Sequence, residues 1–299
     1  MKTLLLTYPL PAAVFAEALR AIEPELPLLE YRPGVPDEAL SDVEAVLGWR
    51  FPPGVAERLP RLRWVCAVGA GVDKLLVPGL PPSTTVSRIV DPDQAQGIAQ
   101  FVVMMALRHA RRLATYEMQQ RARQWTRHPV GAMRTRVGML GMGAIGSAAA
   151  RLLQAVGFQV HGWSRHSGQS LHAVLEGSDI LVCALPLTPA TRGLLDARVF
   201  AQLPRGAYLI NVARGEHVVE ADLIDALRSG QLAGAALDVQ QREPLPADDP
   251  LWDQPGLTIT PHIAAQSEPQ VIAAQFVQGW HCLQRGEPPP NRVDRERGY

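Results

Sequence analysis

The chain has 299 residues, and its 29 basic and 29 acidic side chains cancel to a formal net charge of zero. That length suffices for two ordinary domains, each with its own core, and 47% hydrophobic with 19% charged residues excludes a disordered or fibrous chain. Neutrality argues against a nucleic-acid or membrane partner, either of which leaves a net basic footprint.

The opening Met1 to Leu6 carries one side-chain charge, and Tyr8, Pro9 and Pro11 interrupt the apolar run before it reaches the length of a secretory signal. A strand over residues 4–7 and a helix over 12–21 fit better. Further strands are expected at 45–48, 64–67 and 85–87, separated by helices or turns, an alternation that implies parallel strands with helices on their faces. A long helical segment follows over about 93–124. Arg108, Arg111, Arg112, Arg121, Arg123, Arg127, Arg134 and Arg136 lie in and after it, with Glu117 as the accompanying acid. No aromatic platform or nucleic-acid motif goes with them, so they read as a solvated face or a subunit contact. From Arg136 the pattern tightens into a strand at 137–140, a helix at 144–156 and strands at 158–164, 180–184, 208–212, 234–238 and 257–260. A last helix spans 267–285 and crosses back to the first domain. Cys66, Cys183 and Cys282 are odd in number and widely spaced, which favours a reducing compartment and gives neither a disulfide framework nor a metal site. No apolar run approaches a bilayer span, so a soluble, cytoplasmic chain is expected.

Gly141-Met142-Gly143-Ala144-Ile145-Gly146 follows an apolar strand and opens a helix, the context a dinucleotide-binding glycine loop requires. Gly141 permits the tight turn, Gly143 lets the backbone approach a pyrophosphate, and Gly146 lets helix and strand pack closely. The free N–H groups at the helix start then hold the phosphates. At the end of the next strand an NAD site would carry an acidic residue for the ribose 2′-hydroxyl. Here the segment reads Trp163-Ser164-Arg165-His166. Ser164 can donate to a 2′-phosphate and Arg165 can pair with it, so NADP (as NADPH) is predicted, with NAD a weaker alternative.

Three later segments carry the chemistry. They are Ile210-Asn211-Val212-Ala213-Arg214-Gly215, running on to Glu220 and Asp222; Leu237-Asp238-Val239-Gln240-Gln241-Arg242-Glu243-Pro244; and Thr260-Pro261-His262-Ile263-Ala264-Ala265. With the glycine loop and Leu185-Pro186-Leu187-Thr188, they resemble, in order and approximate spacing, the signatures of the D-isomer-specific 2-hydroxyacid dehydrogenase family. The resemblance covers essentially the whole chain. Within the family it is most similar to the bacterial glyoxylate/hydroxypyruvate reductases of short, NADP-preferring type.

Reduction of a 2-keto acid needs a hydride, a proton for the developing alkoxide, and a cation to hold the carboxylate and polarise the carbonyl. His262 is the natural proton donor, because imidazole titrates near neutrality. Glu243 can orient that ring and stabilise its charged form, and Arg214 supplies a guanidinium fork for the substrate. The resemblance implies the same three roles. It also implies that Leu185, Pro186, Val212 and Ala213 lie along the cofactor and that Asp238 contacts the nicotinamide carboxamide. In the first domain, Gly69-Ala70-Gly71-Val72-Asp73 matches the family turn whose N–H groups, at Ala70 and Gly71, hold the substrate carboxylate. Trp49, Trp280 and Arg88 are candidates to line a small pocket. Where the family often has a glutamate before Phe101, this chain has Gln100.

The expected architecture is α/β: two Rossmann-like or flavodoxin-like domains with parallel sheets and the cofactor in the cleft between them. Residues 1–97 plus 268–299 form the substrate-binding domain and 98–267 the dinucleotide-binding domain. The expected function is NADPH-dependent reduction of glyoxylate or hydroxypyruvate by a homodimer, with Tyr116, Gln120 and Trp125 near the contact. Two other readings stand beside it: the same mechanism on a bulkier acid such as phenylpyruvate or a branched-chain acid, and a non-catalytic, nucleotide-sensing corepressor-like protein.

Overall fold

Uninterrupted apolar runs become strands that are buried on both faces, as parallel sheets require. The computed structural model describes residues 1–129, 135–165 and 168–299. Strands β1 (Lys2–Leu6), β2 (Leu28–Glu30), β3 (Val43–Gly48), β4 (Trp64–Ala67) and β5 (Thr85–Ser87) form a parallel sheet in the order β2–β1–β3–β4–β5. Strands β6 (Arg136–Leu140), β7 (Gln159–Trp163), β8 (Ile180–Cys183), β9 (Ala207–Asn211), β10 (Leu232–Leu237) and β11 (Leu257–Ile259) form a second, in the order β11–β10–β9–β8–β6–β7. The two sheets define two units, Met1–Asp91 with Gln266–Tyr299, and Pro92–Ala265. Among the described residues no helix is long and apolar enough to cross a membrane.

In the first unit, alternate residues of each strand feed two cores. Leu4, Leu6, Val46, Val65 and Val86 face one side, where they meet Val55, Leu59 and Leu75. Leu5, Ala45, Leu47, Trp64 and Cys66 face the other, against helix Ala12–Ile22 and helix Pro269–Gln284. The last helix supplies Ile272, Ala273, Phe276, Val277 and Trp280, and Phe276 stacks on Trp64 at a centroid distance of 4.5 Å.

In the second unit the same alternation sorts Leu181, Cys183 and Leu209 to one face and Ile180, Val182 and Ile210 to the other. The second face is covered by helix Pro92–Ala110 through Ala95, Ile98, Ala99, Phe101, Val102, Met105 and Ala106. This packing sets the boundary at 91/92, where sequence alone placed it at 97/98, because the whole helix shares one core with the second sheet.

The continuous helix expected over 93–124 is two helices, Pro92–Ala110 and Leu113–Arg121. The break falls at Arg112, whose φ of 53° takes it out of the helical region. The N–H groups of Arg111 and Arg112 close the first helix on Leu107 O and His109 O, at 2.8 and 2.9 Å. The arginines around the break are mostly exposed. Arg108 pairs with Glu117 at 2.6 Å and Arg136 with Asp179 at 2.8 Å, whereas Arg134 lies outside the described residues.

Candidate active site

Strand register determines what can meet at the edge of the second sheet. Trp163, Leu140, Cys183, Asn211, Leu237 and Ile259 are successive Cα partners across the six strands. Each is the last residue of its strand. The residues that follow them therefore rise along one edge: Ser164, Gly141, Ala184, Val212, Asp238 and Thr260. Sites in open parallel sheets form at such carboxyl ends.

The glycine loop leaves β6 at Gly141, whose φ of 96° is open to glycine. A Cβ at Gly141 would stand 2.6 Å from Ala184 O, and one at Gly146 would collide with the carbonyl of Gly141. A Cβ at Gly143 would meet nothing within 4 Å, which leaves the approach to the backbone clear. Helix Ala144–Ala155 begins there with no side-chain cap, so its first N–H groups face outward with the positive end of the helix dipole. Met142 and Ala144 are exposed and Ile145 is half-buried. Gly141 N–H donates to Trp163 O at 2.9 Å, which sets the glycine loop beside Ser164 and Arg165. Ser164 is half-buried and Arg165 exposed; His166 lies outside the described residues. This cradle, with a hydroxyl and a guanidinium beside it, fits a dinucleotide carrying a 2′-phosphate.

The chemistry follows the three neighbouring strands β9, β10 and β11. Arg214 comes after β9, on a turn fixed by Asn211: its Nδ2 donates to Arg214 O at 2.8 Å, and its Oδ1 accepts the Ala213 N–H at 3.1 Å. Glu243 comes after β10 and His262 after β11. The His262 Nδ1 lies 3.1 Å from both Glu243 carboxylate oxygens, with the two side chains 26% and 22% exposed. Nδ1 thus faces a bidentate acceptor, which orients the ring. Gly215 joins the Arg214 turn to the Glu243 loop, because a Cβ there would overlap the backbone of Gln240 and Gln241.

His262 sits at φ 56°, unusual for a side chain of this size and maintained only when the surroundings enforce it. Asp238, 2% exposed, enforces it. Its Oδ1 accepts the Thr260 hydroxyl at 2.6 Å and the Ile263 N–H at 2.9 Å, and its Oδ2 accepts the Ala264 N–H at 2.9 Å. Its own carbonyl accepts the His262 N–H at 2.8 Å. Asp238, for which the resemblance implies a nicotinamide contact, is thus a buried carboxylate that brackets the loop of His262. Sequence reasoning missed this, together with Thr260, Gln240 and the fully buried His217. The only local signal was their position inside the three segments.

Leu185 is buried and Pro186 half-buried in the loop after β8. The Thr191 hydroxyl donates to Pro186 O at 2.7 Å and holds that loop. Val212 is half-buried and Ala213 buried at the end of β9.

The first unit has its own edge, where Leu6, Gly48 and Ala67 are in register. The turn 69–73 leaves it there, and among the described residues no carbonyl accepts the N–H of Ala70 or Gly71. Trp49 lies beside this turn: a Cβ on Gly69 would stand 3.9 Å from its ring, and Lys74 Nζ is 5.7 Å from its ring centroid. Arg88 is half-buried, its N–H donating to Asn291 O at 3.1 Å. Trp280 lies on the core side of its helix. It is 7% exposed in the core of this unit and donates to Met1 O at 3.2 Å, because helix Pro269–Gln284 turns that face into the sheet.

The profile of the D-isomer specific 2-hydroxyacid dehydrogenase, NAD binding domain, matches residues 103–264. A glyoxylate/hydroxypyruvate reductase A of Serratia proteamaculans is 38% identical, over 95% of this chain and 96% of that protein. Among solved structures, a D-isomer specific 2-hydroxyacid dehydrogenase from Xanthobacter autotrophicus Py2, in complex with NADPH and MES, is 41% identical with a TM-score of 0.89; the match covers 100% of this chain and 99% of that one. An NADPH-dependent glyoxylate/hydroxypyruvate reductase from Sinorhizobium meliloti, in complex with NADP and sulfate, is 33% identical with a TM-score of 0.90 and full coverage of both chains.

Proposed function

The chain belongs to the D-isomer-specific 2-hydroxyacid dehydrogenase family and is an oxidoreductase; from that premise we propose that it reduces small 2-keto acids, glyoxylate and hydroxypyruvate, with NADPH. The observation that carries the proposal is the His262–Glu243 pair at 3.1 Å, on loops adjoining the Arg214 turn. The relatives' names support the substrate class. The NADPH and NADP bound in the neighbours support the cofactor, as does the absence of a carboxylate in Trp163-Ser164-Arg165.

In this mechanism Gly141 to Gly146 and the start of helix Ala144–Ala155 hold the pyrophosphate, and Ser164 and Arg165 hold the 2′-phosphate. Leu185, Pro186, Val212 and Ala213 flank the cofactor. When bound, the reduced nicotinamide supplies the hydride for the substrate's C2. Arg214 binds the carboxylate and polarises the carbonyl, stabilising the negative charge that grows on oxygen. His262, with Nδ1 engaged by Glu243, gives that oxygen a proton from Nε2. Glu243 keeps the ring in place and offsets its charge before transfer. Within the first unit, the turn at Ala70 and Gly71, with Trp49 beside it, is proposed to bind a substrate carboxylate through its N–H groups.

Assembly as a homodimer through the region after helix Pro92–Ala110 belongs to the same proposal. Helix Leu113–Arg121 has no buried residue, and Met118 and Trp125 are 60% and 92% exposed, an apolar surface suited to a second copy.

The test is a panel of glyoxylate, hydroxypyruvate and phenylpyruvate with NADPH and NADH, run on the wild type and His262→Asn. The proposal expects the highest kcat/KM for the two small acids with NADPH. It also expects His262→Asn to lose turnover by about 10²-fold or more with NADPH affinity intact. Preference for phenylpyruvate, or near-normal turnover of His262→Asn, would overturn it.

A further inference from the structure

His217 is an ionisable group that the mechanism does not use, and it is 0% exposed. Its ring lies between two backbone carbonyls of the site: Nδ1 is 3.0 Å from Arg214 O, and Nε2 is 3.3 Å from Pro186 O. One carbonyl belongs to the residue assigned to the substrate, the other to the loop assigned to the cofactor. A carbonyl oxygen can only accept, so each contact becomes a hydrogen bond only where the ring nitrogen carries a proton. Burial, reinforced by the nearby Arg214 charge, holds the pKa of His217 below the ordinary histidine value against the pull of the two carbonyls. Near neutral pH the ring is therefore uncharged and has one N–H for two acceptors.

The surroundings decide where that proton sits. Pro186 O already accepts the Thr191 hydroxyl at 2.7 Å, a short and well-made bond. Arg214 O accepts Asn211 Nδ2 at 2.8 Å and the His217 backbone N–H at 3.3 Å, so both carbonyls already hold a donor and the lengths of the ring contacts decide between them. The shorter ring contact is the one to Arg214 O. We propose that His217 is a positioning residue for Arg214: held as the Nδ1–H tautomer, it clamps the Arg214 carbonyl together with Asn211 and so fixes where the guanidinium begins. The inference rests on the reading of Arg214 as the substrate-binding cation.

Asparagine and glutamine separate the two ring nitrogens, since an Asn amide reaches the place of Nδ1 and a Gln amide that of Nε2. His217→Asn should keep the keto-acid KM within about threefold of the wild type, whereas His217→Gln and His217→Leu should raise it about tenfold or more and lower kcat, with NADPH affinity unchanged in all three. A purely structural role would lower thermal stability across the series without moving KM. The tautomer is read directly in the wild-type enzyme from imidazole 15N shifts, assigned by the signal that His217→Asn removes. Protonated Nδ1 and bare Nε2 at pH 7 are expected. Protonation on Nε2, protonation of both nitrogens, or a His217→Gln variant with normal KM would overturn the proposal. Arg214→Lys run alongside separates the two levels. If it leaves the keto-acid KM unchanged, the reading of the site fails; if it raises KM while His217→Gln does not, only the role of His217 fails.

Discussion

Gly215→Ala tests the join between the cation and the acid–base pair without touching either. The φ of Gly215 lies outside the left-handed region that favours glycine, so the main effect of alanine there is added volume. That volume has no room: the new Cβ would fall on the carbonyl carbon and oxygen of Gln240 and on the Gln241 nitrogen. These are backbone atoms that cannot rotate away. Carbon atoms pack no closer than about 3.5 Å, so the Arg214 turn and the Glu243 loop must part by more than about 1 Å. Overpacking of this kind costs about 1–3 kcal/mol of stability, and a 1 Å misplacement of catalytic groups costs about 10²-fold in rate. Stopped-flow kinetics of glyoxylate reduction should therefore show kcat/KM down by about 10²-fold, while NADPH titration stays normal because the glycine loop is remote in sequence and on other strands. Gly177→Ala, whose Cβ would make ordinary contacts at 3.4 and 3.7 Å, is the control for a glycine lost without a clash. If Gly215→Ala keeps kcat/KM within about threefold of the wild type (well short of the expected loss), the two loops are not held in register by this contact.

Removing the guanidinium with Arg165→Ala should raise KM for NADPH by about 10- to 100-fold, the worth of a charge-assisted hydrogen bond to phosphate, and leave NADH nearly unaffected; equal effects on both would dismiss the 2′-phosphate role. Asp238→Asn places an amide N–H against the Ala264 N–H or the Ile263 N–H, since both carboxylate oxygens accept donors. It should lower kcat by about tenfold or more as His262 relaxes from its positive φ; a loss confined to NADPH binding would instead make Asp238 a cofactor contact. His109, stacked on Tyr208 at 4.3 Å, has its pKa pushed down to about 4 by burial and the Arg112 charge. A lowered folded-state value means that the unfolded chain takes the proton first. Its stability contribution is thus intact above pH 6.5 and lost as pH falls to about 4, by about 3 kcal/mol. Urea unfolding at pH 7 and pH 4 should show His109→Phe, which keeps the stack, losing that much less stability than the wild type; parallel losses would refute the assignment.

Much of this protein is legible in local order. The strands at 64–67 and 85–87 stand where alternation placed them, and the glycine loop opens its helix at Ala144 as its spacing requires. Arg214, Glu243 and His262 stand out in the sequence because each lies in a short patterned segment, and the structure brings Glu243 and His262 within 3.1 Å of each other. The break at Arg112 was not legible, since a left-handed arginine leaves no composition signal. Nor was the burial of Trp280, because an aromatic residue on an amphipathic helix suits either a core or a pocket until its partner is known.

The sequence by itself determined most of the strands, the glycine cradle and which side chains could carry acid, base and cation, because these depend on residue type and spacing along the chain. Tertiary structure decided what those residues do together. The six strand ends from Trp163 to Ile259 meet on one line only through hydrogen-bond register between segments far apart in sequence. That register sets Asp238 to hold the loop of His262 and buries His217 between two carbonyls of the site. Neither role is written in any local pattern, since each depends on a partner supplied by a different strand's loop.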